Sequence, residues 1–170
     1  METGWKLPLI IDASALIDYC ESDLSILSLF SRTVQPVYVG KAALDKVEQL
    51  SESKARRNRI QVIMPDIDLA LEAAKERGPL AYDDRETLLL ARTHGWCCLT
   101  NDKALRRECQ KERVQVQWGL EPMKILVSRS VITVTRALSV ARKISLSNPA
   151  FVTATIVDQF EHEINRLKRR

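Results

Sequence analysis

Five short apolar runs alternate with segments of helical periodicity along the first two-thirds of the chain, and this alternation limits the fold most strongly. The runs cover residues 7–11, 37–39, 60–64, 96–99 and 114–118. Runs of this length that are closed by Asp, Gly or Pro are typical of strands. Strands that alternate with helices predict a three-layer α/β/α sandwich with a mainly parallel sheet. Val and Gln alternate in the fifth run, which indicates a half-exposed edge strand.

The helices between these strands are predicted from apolar residues at helical spacing. The residues that form the predicted faces are Leu24, Leu27 and Phe30, then Ala43, Leu44, Val47 and Leu50, then Ile67, Leu71 and Ala74, and finally Leu88, Ala91 and His94. A further helix is predicted over residues 104–111. The helix that contains Ile67 is expected to end at Arg77-Gly78-Pro79, because Gly followed by Pro ends helices.

The last third of the sequence is predicted to be helical throughout. One helix is indicated by Ile132, Leu138 and Ile144, and a second by the stripe Phe151, Ile156, Phe160, Ile164 and Leu167. Asn148-Pro149 separates the two, with the proline expected in a first helical turn. We therefore expect an α/β core over residues 1–125 and a helical appendage over residues 126–170, packed together as one domain.

Composition excludes several other classes of protein. Of the 170 residues, 45% are hydrophobic and 28% charged, which does not fit a disordered chain. No apolar run approaches the roughly 20 residues of a membrane span, and no basic segment precedes a long apolar run at the N-terminus, so no signal peptide is expected. The four cysteines form no spaced pair, and Cys97-Cys98 fits a buried strand. A reducing cytoplasm is the expected location.

The net charge of +4 is distributed unevenly along the chain. Residues 124–170 contain nine lysines and arginines against three acidic residues, whereas the remainder is slightly acidic. A basic tail of this kind fits a surface that binds a polyanion, and it fits equally a solvated surface without a partner. The same two interpretations apply to the basic segments at residues 54–59 and 167–170.

Two acidic residues lie at the ends of predicted strands: Asp12 directly after the first and Asp102 just beyond the fourth. Open α/β sheets bind their ligands outside the carboxyl ends of the strands, so both carboxylates are candidates for a functional site. The alternative for each is that it caps the following helix. For Asp12 this alternative is the weaker one, because Ser14 is also available as a cap.

A third candidate comes from the helix that begins near Tyr82. Asp83 and Glu86 have the spacing of a capping box, which gives both a structural explanation. Asp84 instead shares the buried stripe of the predicted helix, where a carboxylate needs a metal ion or the proton of a second acid as partner.

A fourth acid is expected from the helix that follows Gly40. Glu48 falls at the edge of its apolar face and Asp45 points further out, and a solvated helix face explains both residues as well. Three or four carboxylates at one sheet edge repel one another unless a cation lies among them, and oxygen ligands alone fit Mg²⁺ or Mn²⁺. Such a cluster suits phosphodiester hydrolysis.

Other kinds of site have little support in the sequence. His94 and His162 are far apart and have no motif around them, so both are predicted on helix surfaces. With only five glycines, the chain has no glycine-rich phosphate loop, and binding of a nucleotide cofactor is not supported.

Taken in order, four motifs make the chain resemble a PIN domain. They are Ile-Ile-Asp12-Ala-Ser14, Val-Tyr-Val-Gly40, Asp83-Asp84-Arg-Glu-Thr-Leu-Leu-Leu-Ala and Leu-Thr100-Asn101-Asp102-Lys-Ala-Leu-Arg106. The sequence is most similar to the VapC-like toxin ribonucleases, in a branch with extra C-terminal helices. The resemblance covers roughly residues 8–125.

The resemblance implies a role for each matched residue. Asp12, Asp84 and Asp102 match the acidic metal positions of the family, and Ser14 matches a small polar residue that orders the first acid. Thr100 and Asn101 flank the last acid, and Arg106 matches a basic residue one turn beyond it. The implied activity is cleavage of single-stranded RNA with Mg²⁺ or Mn²⁺, by a homodimer that is often blocked by a small antitoxin.

Lys46 is the clear departure from the family, because a glutamate is expected at this position. One possibility is that the Lys46 side chain turns outward along its flexible stem while Asp45 or Glu48 supplies the acid. If neither does, the alternative is a catalytically degenerate PIN-like module that binds RNA or a protein. The candidate RNA-binding residues are Arg106, Lys54, Arg56 and Arg57.

A phosphotransfer domain on a similar sheet is disfavoured. A haloacid-dehalogenase-like hydrolase needs a second aspartate where this chain has Ser14, and a receiver domain needs a lysine at the end of a late strand, which here ends in Thr-Asn-Asp.

Overall fold

The computed structural model describes residues 5–75 and 78–168. Within these ranges the strands are β1 (Leu9–Ile11), β2 (Val37–Gly40), β3 (Ile60–Ile63), β4 (Cys97–Leu99) and β5 (Val116–Gln117). The helices are α1 (Ala13–Ser22), α2 (Ser25–Thr33), α3 (Lys41–Asp45), α4 (Glu52–Arg57), α5 (Ile67–Ala74), α6 (Tyr82–His94), α7 (Lys103–Lys111), α8 (Glu121–Ser128), α9 (Val134–Ser147) and α10 (Ala154–Lys168). No helix in these ranges has the length and apolar character to cross a membrane.

The strands form one parallel sheet in the order β3-β2-β1-β4-β5. From β1 the chain winds outward through β2 to β3, and it later returns to the other side of β1 as β4 and β5. The winding direction therefore reverses between β1 and β4, and the carboxyl ends of these two strands border a crevice. The predicted α/β class and the predicted edge position of the fifth strand are confirmed.

Consecutive residues of the central strands face two separate hydrophobic cores. Leu9 and Ile11 pack with α1, α2 and α8–α10, whereas Ile10 packs with α5, α6 and α7 on the opposite face. The same alternation buries Cys97 in the first core and Cys98 in the second. All four cysteines lie in the described part of the chain and are free. The sheet is thus enclosed between two helical layers, as predicted.

The C-terminal segment forms three helices where two are predicted. Ile132 lies in the connection between α8 and α9, and α10 begins only at Ala154, so Pro149 is not in a first helical turn. Asn148 is the C-cap of α9. The division at residue 125 stays a prediction; this residue lies within α8, which contributes Met123 and Leu126 to the first core.

Helix α5 buries a different face from the predicted one. Leu69 and Ala73 are buried, whereas Ile67 and Leu71 are 77% and 61% exposed. The helix also ends before the predicted stop, and Arg77 of that predicted stop lies outside the described residues.

The start of α6 corrects the predicted capping box. Its N-cap is Ala81, so Asp83 and Glu86 do not cap this helix. Glu86 Oε1 instead accepts a hydrogen bond of 3.1 Å from the backbone N–H of Ala42, at the start of α3. A Cβ atom on Gly40 would lie 2.6 Å from that oxygen, so only glycine leaves room for this contact. The contact fixes α3 against α6.

Candidate active site

Asp12 is buried at the carboxyl end of β1, where its carboxylate has two fixed partners. Its Oδ1 accepts from the backbone N–H of Ala15 at 2.8 Å, and its Oδ2 accepts from the Thr100 hydroxyl at 2.5 Å. The strand register brings these residues together, because Ile11 lies opposite Leu99. Asp12 is therefore the N-cap of α1, so the capping alternative holds for Asp12 although Ser14 is also available. The capping carboxylate also faces the crevice.

Asp102 is held in a similar way beyond the end of β4. Its Oδ1 accepts from the backbone N–H groups of Ala104 and Leu105 at 2.7 and 3.0 Å, which makes it the N-cap of α7. The Thr100 hydroxyl oxygen accepts from the Asp102 N–H at 2.9 Å. The Thr100 hydroxyl group thus connects Asp12 and Asp102, which follow adjacent strands. Each of these acids caps a helix and also lines the cleft.

An acidic cleft opens around these residues at the carboxyl edge of the sheet. Eight of its lining residues are acidic, and one is basic: the lining consists of Asp12, Ala13, Ser14, Ile17, Asp18, Glu21, Asp45, Lys46, Glu48, Asp83, Asp84, Asp102, Ser147 and Asn148. All the acidic site residues predicted from the sequence, and Ser14, therefore meet in one place. Thr100 supports them through Asp12.

Burial and mutual repulsion change the protonation of two of these acids. Burial, with contributions from the charges of Asp84 and Asp102, raises the pKa of Asp12 from 3.8 to about 7. Partial burial and the charges of Asp83 and Asp102 raise the pKa of Asp84 to about 6, and the charge of Lys46 opposes that rise. The three acids are therefore close enough to influence one another.

The chemistry of the acids fits a hard divalent cation, since carboxylate oxygens are the ligands that Mg²⁺ and Mn²⁺ prefer. His94 and His162 are exposed, as predicted, and add no nitrogen ligand to the cleft. Within residues 5–75 and 78–168, no three acidic, histidine or cysteine side chains already converge as a bound ion requires. The acids are gathered in one cleft, but they do not form a preassembled cage.

The Lys46 side chain is not turned away from the cleft. Its ammonium lies 2.5 Å from Asp83 Oδ1 and lines the cleft. Asp45 forms an ion pair with Lys41 within α3, and Glu48 is exposed at the rim beyond the end of that helix. The position expected to carry an acid therefore carries a cation that an acid of α6 holds in place.

Asp18 is a cleft residue that the sequence analysis does not identify. It is buried on α1, and the Asn148 side-chain amide donates to both of its carboxylate oxygens, at 3.0 and 3.3 Å. Burial raises the pKa of Asp18 to about 6, although hydrogen bonds from Asn148 and Asn101 oppose this rise. The available signal is that Asp18 lies at helical spacing with the buried Ala15. Its partner, 130 residues away, has no local signal.

We expect Asn148→Ala to lower the free energy of unfolding by about 1–3 kcal/mol at pH 8, because the buried Asp18 carboxylate loses its amide partner. The loss should shrink at pH 5, where Asp18 is protonated in the folded protein. Urea unfolding at both pH values measures this. Asn58→Ala is the matched control, since Asn58 is the half-buried C-cap of α4 and its side-chain amide donates to the backbone carbonyl of Lys54 rather than to a carboxylate. An equal, pH-independent loss in both variants would contradict a role for the Asp18 contact.

The predicted RNA-binding residues do not reach the cleft. The Arg106 guanidinium stacks on Trp118 at 3.5 Å from the ring centroid. Lys54, Arg56 and Arg57 lie exposed on α4. None of these four residues, all of which the structure describes, lines the cleft.

Asn101 has a structural partner beside the site. It is buried, and its Oδ1 accepts from the backbone N–H of Gly119 at 2.9 Å. It therefore connects the segment before Asp102 to the segment that follows β5.

An acidic cleft lies at the carboxyl edge of the parallel sheet, where the winding direction reverses between β1 and β4. The protein therefore belongs to the class of open α/β domains, in which ligands typically bind at this edge. Within that class, the solved structure of a PilT N-terminus domain protein from the hyperthermophilic archaeon Sulfolobus solfataricus P2 is similar, with a TM-score of 0.53 and 13% sequence identity. The similarity covers 69% of this chain and 91% of that chain. The fold is that of a PIN domain, as the sequence motifs predict. No family model matches the sequence, and no curated protein matches it.

Proposed function

We propose that the protein is a metal-dependent endoribonuclease that cleaves single-stranded RNA. The observation that carries this proposal is the meeting of Asp12, Asp84 and Asp102 in one cleft at the carboxyl edge of a PIN-fold sheet. Carboxylates gathered in this way suit phosphodiester hydrolysis assisted by a divalent cation.

In this proposal, Asp12, Asp84 and Asp102 hold Mg²⁺ or Mn²⁺. Such an ion would supply activation of water and stabilisation of the negative charge that develops on the phosphoryl and leaving oxygens. A cation among them would favour the charged forms of Asp12 and Asp84, against the burial and the neighbouring negative charges that raise their pKa values.

The protein's own contribution is the orientation of these carboxylates. Thr100 and the N–H of Ala15 hold both oxygens of Asp12, and the first turn of α7 holds Asp102. Side chains fixed in this way do not have to be ordered when the substrate binds. Asp84 is half-buried in the first turn of α6, and this helix directs it to the same cleft.

The resemblance to VapC-like toxins leads us to propose three further properties of the protein. These are a toxin role, inhibition by a small antitoxin and a homodimeric state, and they rest on the sequence resemblance alone. A cytoplasmic location is proposed from the free cysteines.

A second candidate function is a PIN-like module that binds RNA or a protein without cleaving it. The contact between Lys46 and Asp83 favours this alternative, because it places a cation beside the acids that would hold the metal. An ammonium a few ångströms from a metal ion opposes its binding by roughly 1 kcal/mol or more at intermediate dielectric.

Cleavage of a labelled single-stranded RNA distinguishes the two functions. We expect the wild-type chain to produce internal fragments with Mn²⁺ and none with EDTA, and Asp84→Asn to reduce the rate at least about 100-fold. Asp68→Asn is the matched control, since Asp68 lies in the first turn of α5 as Asp84 lies in that of α6. Wild-type protein that binds the RNA but leaves it intact with every divalent ion would contradict the nuclease and favour the binding module.

A further inference from the structure

We infer that Lys46 is the phosphate-binding residue of the acidic cleft, and that Asp83 is the positioning residue that holds its ammonium there. The inference rests on the proposed function for its substrate, the phosphodiester backbone of RNA. It deepens that proposal by assigning a role to the basic residue that stands where an acid is expected.

The first argument is the geometry of the ion pair. Asp83 is buried, with 6% of its side chain exposed, whereas 55% of the Lys46 side chain is exposed. Both residues line the cleft, but the positive end of the pair is exposed and the negative end is largely buried. An ammonium group has three N–H donors, of which Asp83 takes one, so the exposed donors are available to phosphate oxygens.

The second argument is the charge of the cleft. Among the lining residues that the structure describes, Lys46 is the single basic side chain, and eight are acidic. A phosphodiester that approaches Asp12, Asp84 and Asp102 is repelled by each of them. Lys46 is the group of the protein that attracts the phosphate into this cleft.

The third argument is that Lys46 is held in place before any ligand binds. It directly follows α3, and its neighbours Leu44 and Val47 are buried in the core. The Glu86 carboxylate fixes the start of α3, and Asp83 fixes the ammonium itself. A long side chain restrained at both ends loses less freedom on binding, which favours a specific role over a mobile surface charge.

The test measures RNA binding without metal, so that it does not depend on cleavage. Fluorescence anisotropy of a short labelled single-stranded RNA is recorded in EDTA at low salt. We expect Lys46→Met to weaken binding by about tenfold or more, as the loss of a charge-assisted hydrogen bond predicts, and Lys46→Arg to retain most of the affinity. Lys41→Met is the matched control: Lys41 also belongs to the α3 segment and pairs with an acid, but it does not line the cleft, so a change below about twofold is expected.

A second variant guards against misfolding. Lys46→Met leaves the buried Asp83 carboxylate without its partner, whereas the double variant K46M/D83N removes both charges. Thermal unfolding identifies a folded protein, and the double variant should show the same loss of RNA affinity. Wild-type affinity in the folded double variant would overturn the inference.

Binding of Mn²⁺, followed by the paramagnetic resonance of the free ion, separates this role from a blocking one. If Lys46→Met binds RNA as tightly as the wild type and takes up Mn²⁺ more tightly, Lys46 is a blocking cation and the inference is overturned. Wild-type protein that shows no metal-free RNA binding also overturns it. If the wild type does not cleave RNA, and Lys46→Met weakens metal-free RNA binding, the inference is supported and the proposed nuclease activity is contradicted. If the wild type cleaves RNA, and the Lys46→Met variant binds and cleaves it equally well, the proposed nuclease activity stands and the inference about Lys46 is overturned.

Discussion

Asp12→Asn is expected to reduce RNA cleavage at least about 100-fold while the protein stays folded. Loss of residues that only orient metal ligands typically costs 10–100-fold, and Asp12 is itself a proposed ligand at the centre of the cleft. Asparagine keeps the shape, its oxygen still accepts from the N–H of Ala15, and its amide donates to the Thr100 hydroxyl oxygen. Steady-state cleavage of a labelled RNA with Mn²⁺ measures the loss of activity, and circular dichroism shows whether the variant is folded.

Asp66→Asn is the control for the helix cap. Asp66 caps α5 as Asp12 caps α1, with an equivalent 2.8 Å hydrogen bond to the third residue beyond it, but it is exposed and outside the cleft. This variant should cleave RNA at the wild-type rate. If Asp12→Asn retained full activity, the carboxylate at the end of β1 would have no part in the chemistry and the proposed site would be wrong.

The sheet and the three central acids could be predicted because their signals are local. Parallel strands buried on both faces are continuous apolar runs, and an acid directly after such a run is placed at the carboxyl edge by the strand itself. Asp12 and Asp102 follow from this rule alone. Asp84 is identified by its place on the predicted buried stripe of α6, although the structure leaves Asp84 half-buried and buries Asp83 more fully.

The contacts of the remaining cleft residues could not be predicted, because they depend on partners that are distant in the sequence. Asp83 and Glu86 have the local spacing of a capping box, but contacts with Lys46 and Ala42, 37 and 44 residues away, determine their positions. Local patterns cannot distinguish a side chain that caps its own helix from one that binds a neighbouring helix.

Exposed apolar residues produced a second kind of error. In α5, Ile67 and Leu71 have helical spacing and yet face away from the core, while Leu69 and Ala73 face it. Both faces of this short helix are apolar, so periodicity does not determine which of them is buried.

Without metal, the protein is expected to become less stable as the pH rises from 5 to 8. The pKa of Asp12 is about 7 in the folded protein and near 3.8 when unfolded. Between these values the folded state binds more protons than the unfolded state, so the free energy of unfolding falls as the pH rises and levels off above pH 7. Asp84, with a pKa of about 6, acts in the same direction. Urea unfolding in EDTA across this range measures the effect.

The Asp12→Asn variant isolates the contribution of the buried Asp12 carboxylate to this pH dependence of stability. At pH 8 the free energy of unfolding of the variant should exceed that of the wild type by on the order of 2–4 kcal/mol. The difference should shrink towards pH 5, because Asp12 is then uncharged in the folded wild-type protein. Asp66→Asn, an exposed cap, should not show this pH-dependent gain.

Mn²⁺ at pH 8 should restore stability to the wild type far more than to Asp12→Asn, since a cation bound only by the folded state stabilises it by mass action. If wild-type stability rose between pH 5 and 8 in EDTA, Asp12 and Asp84 would not have raised pKa values in the folded protein, and the electrostatic argument for a cation at this site would be lost.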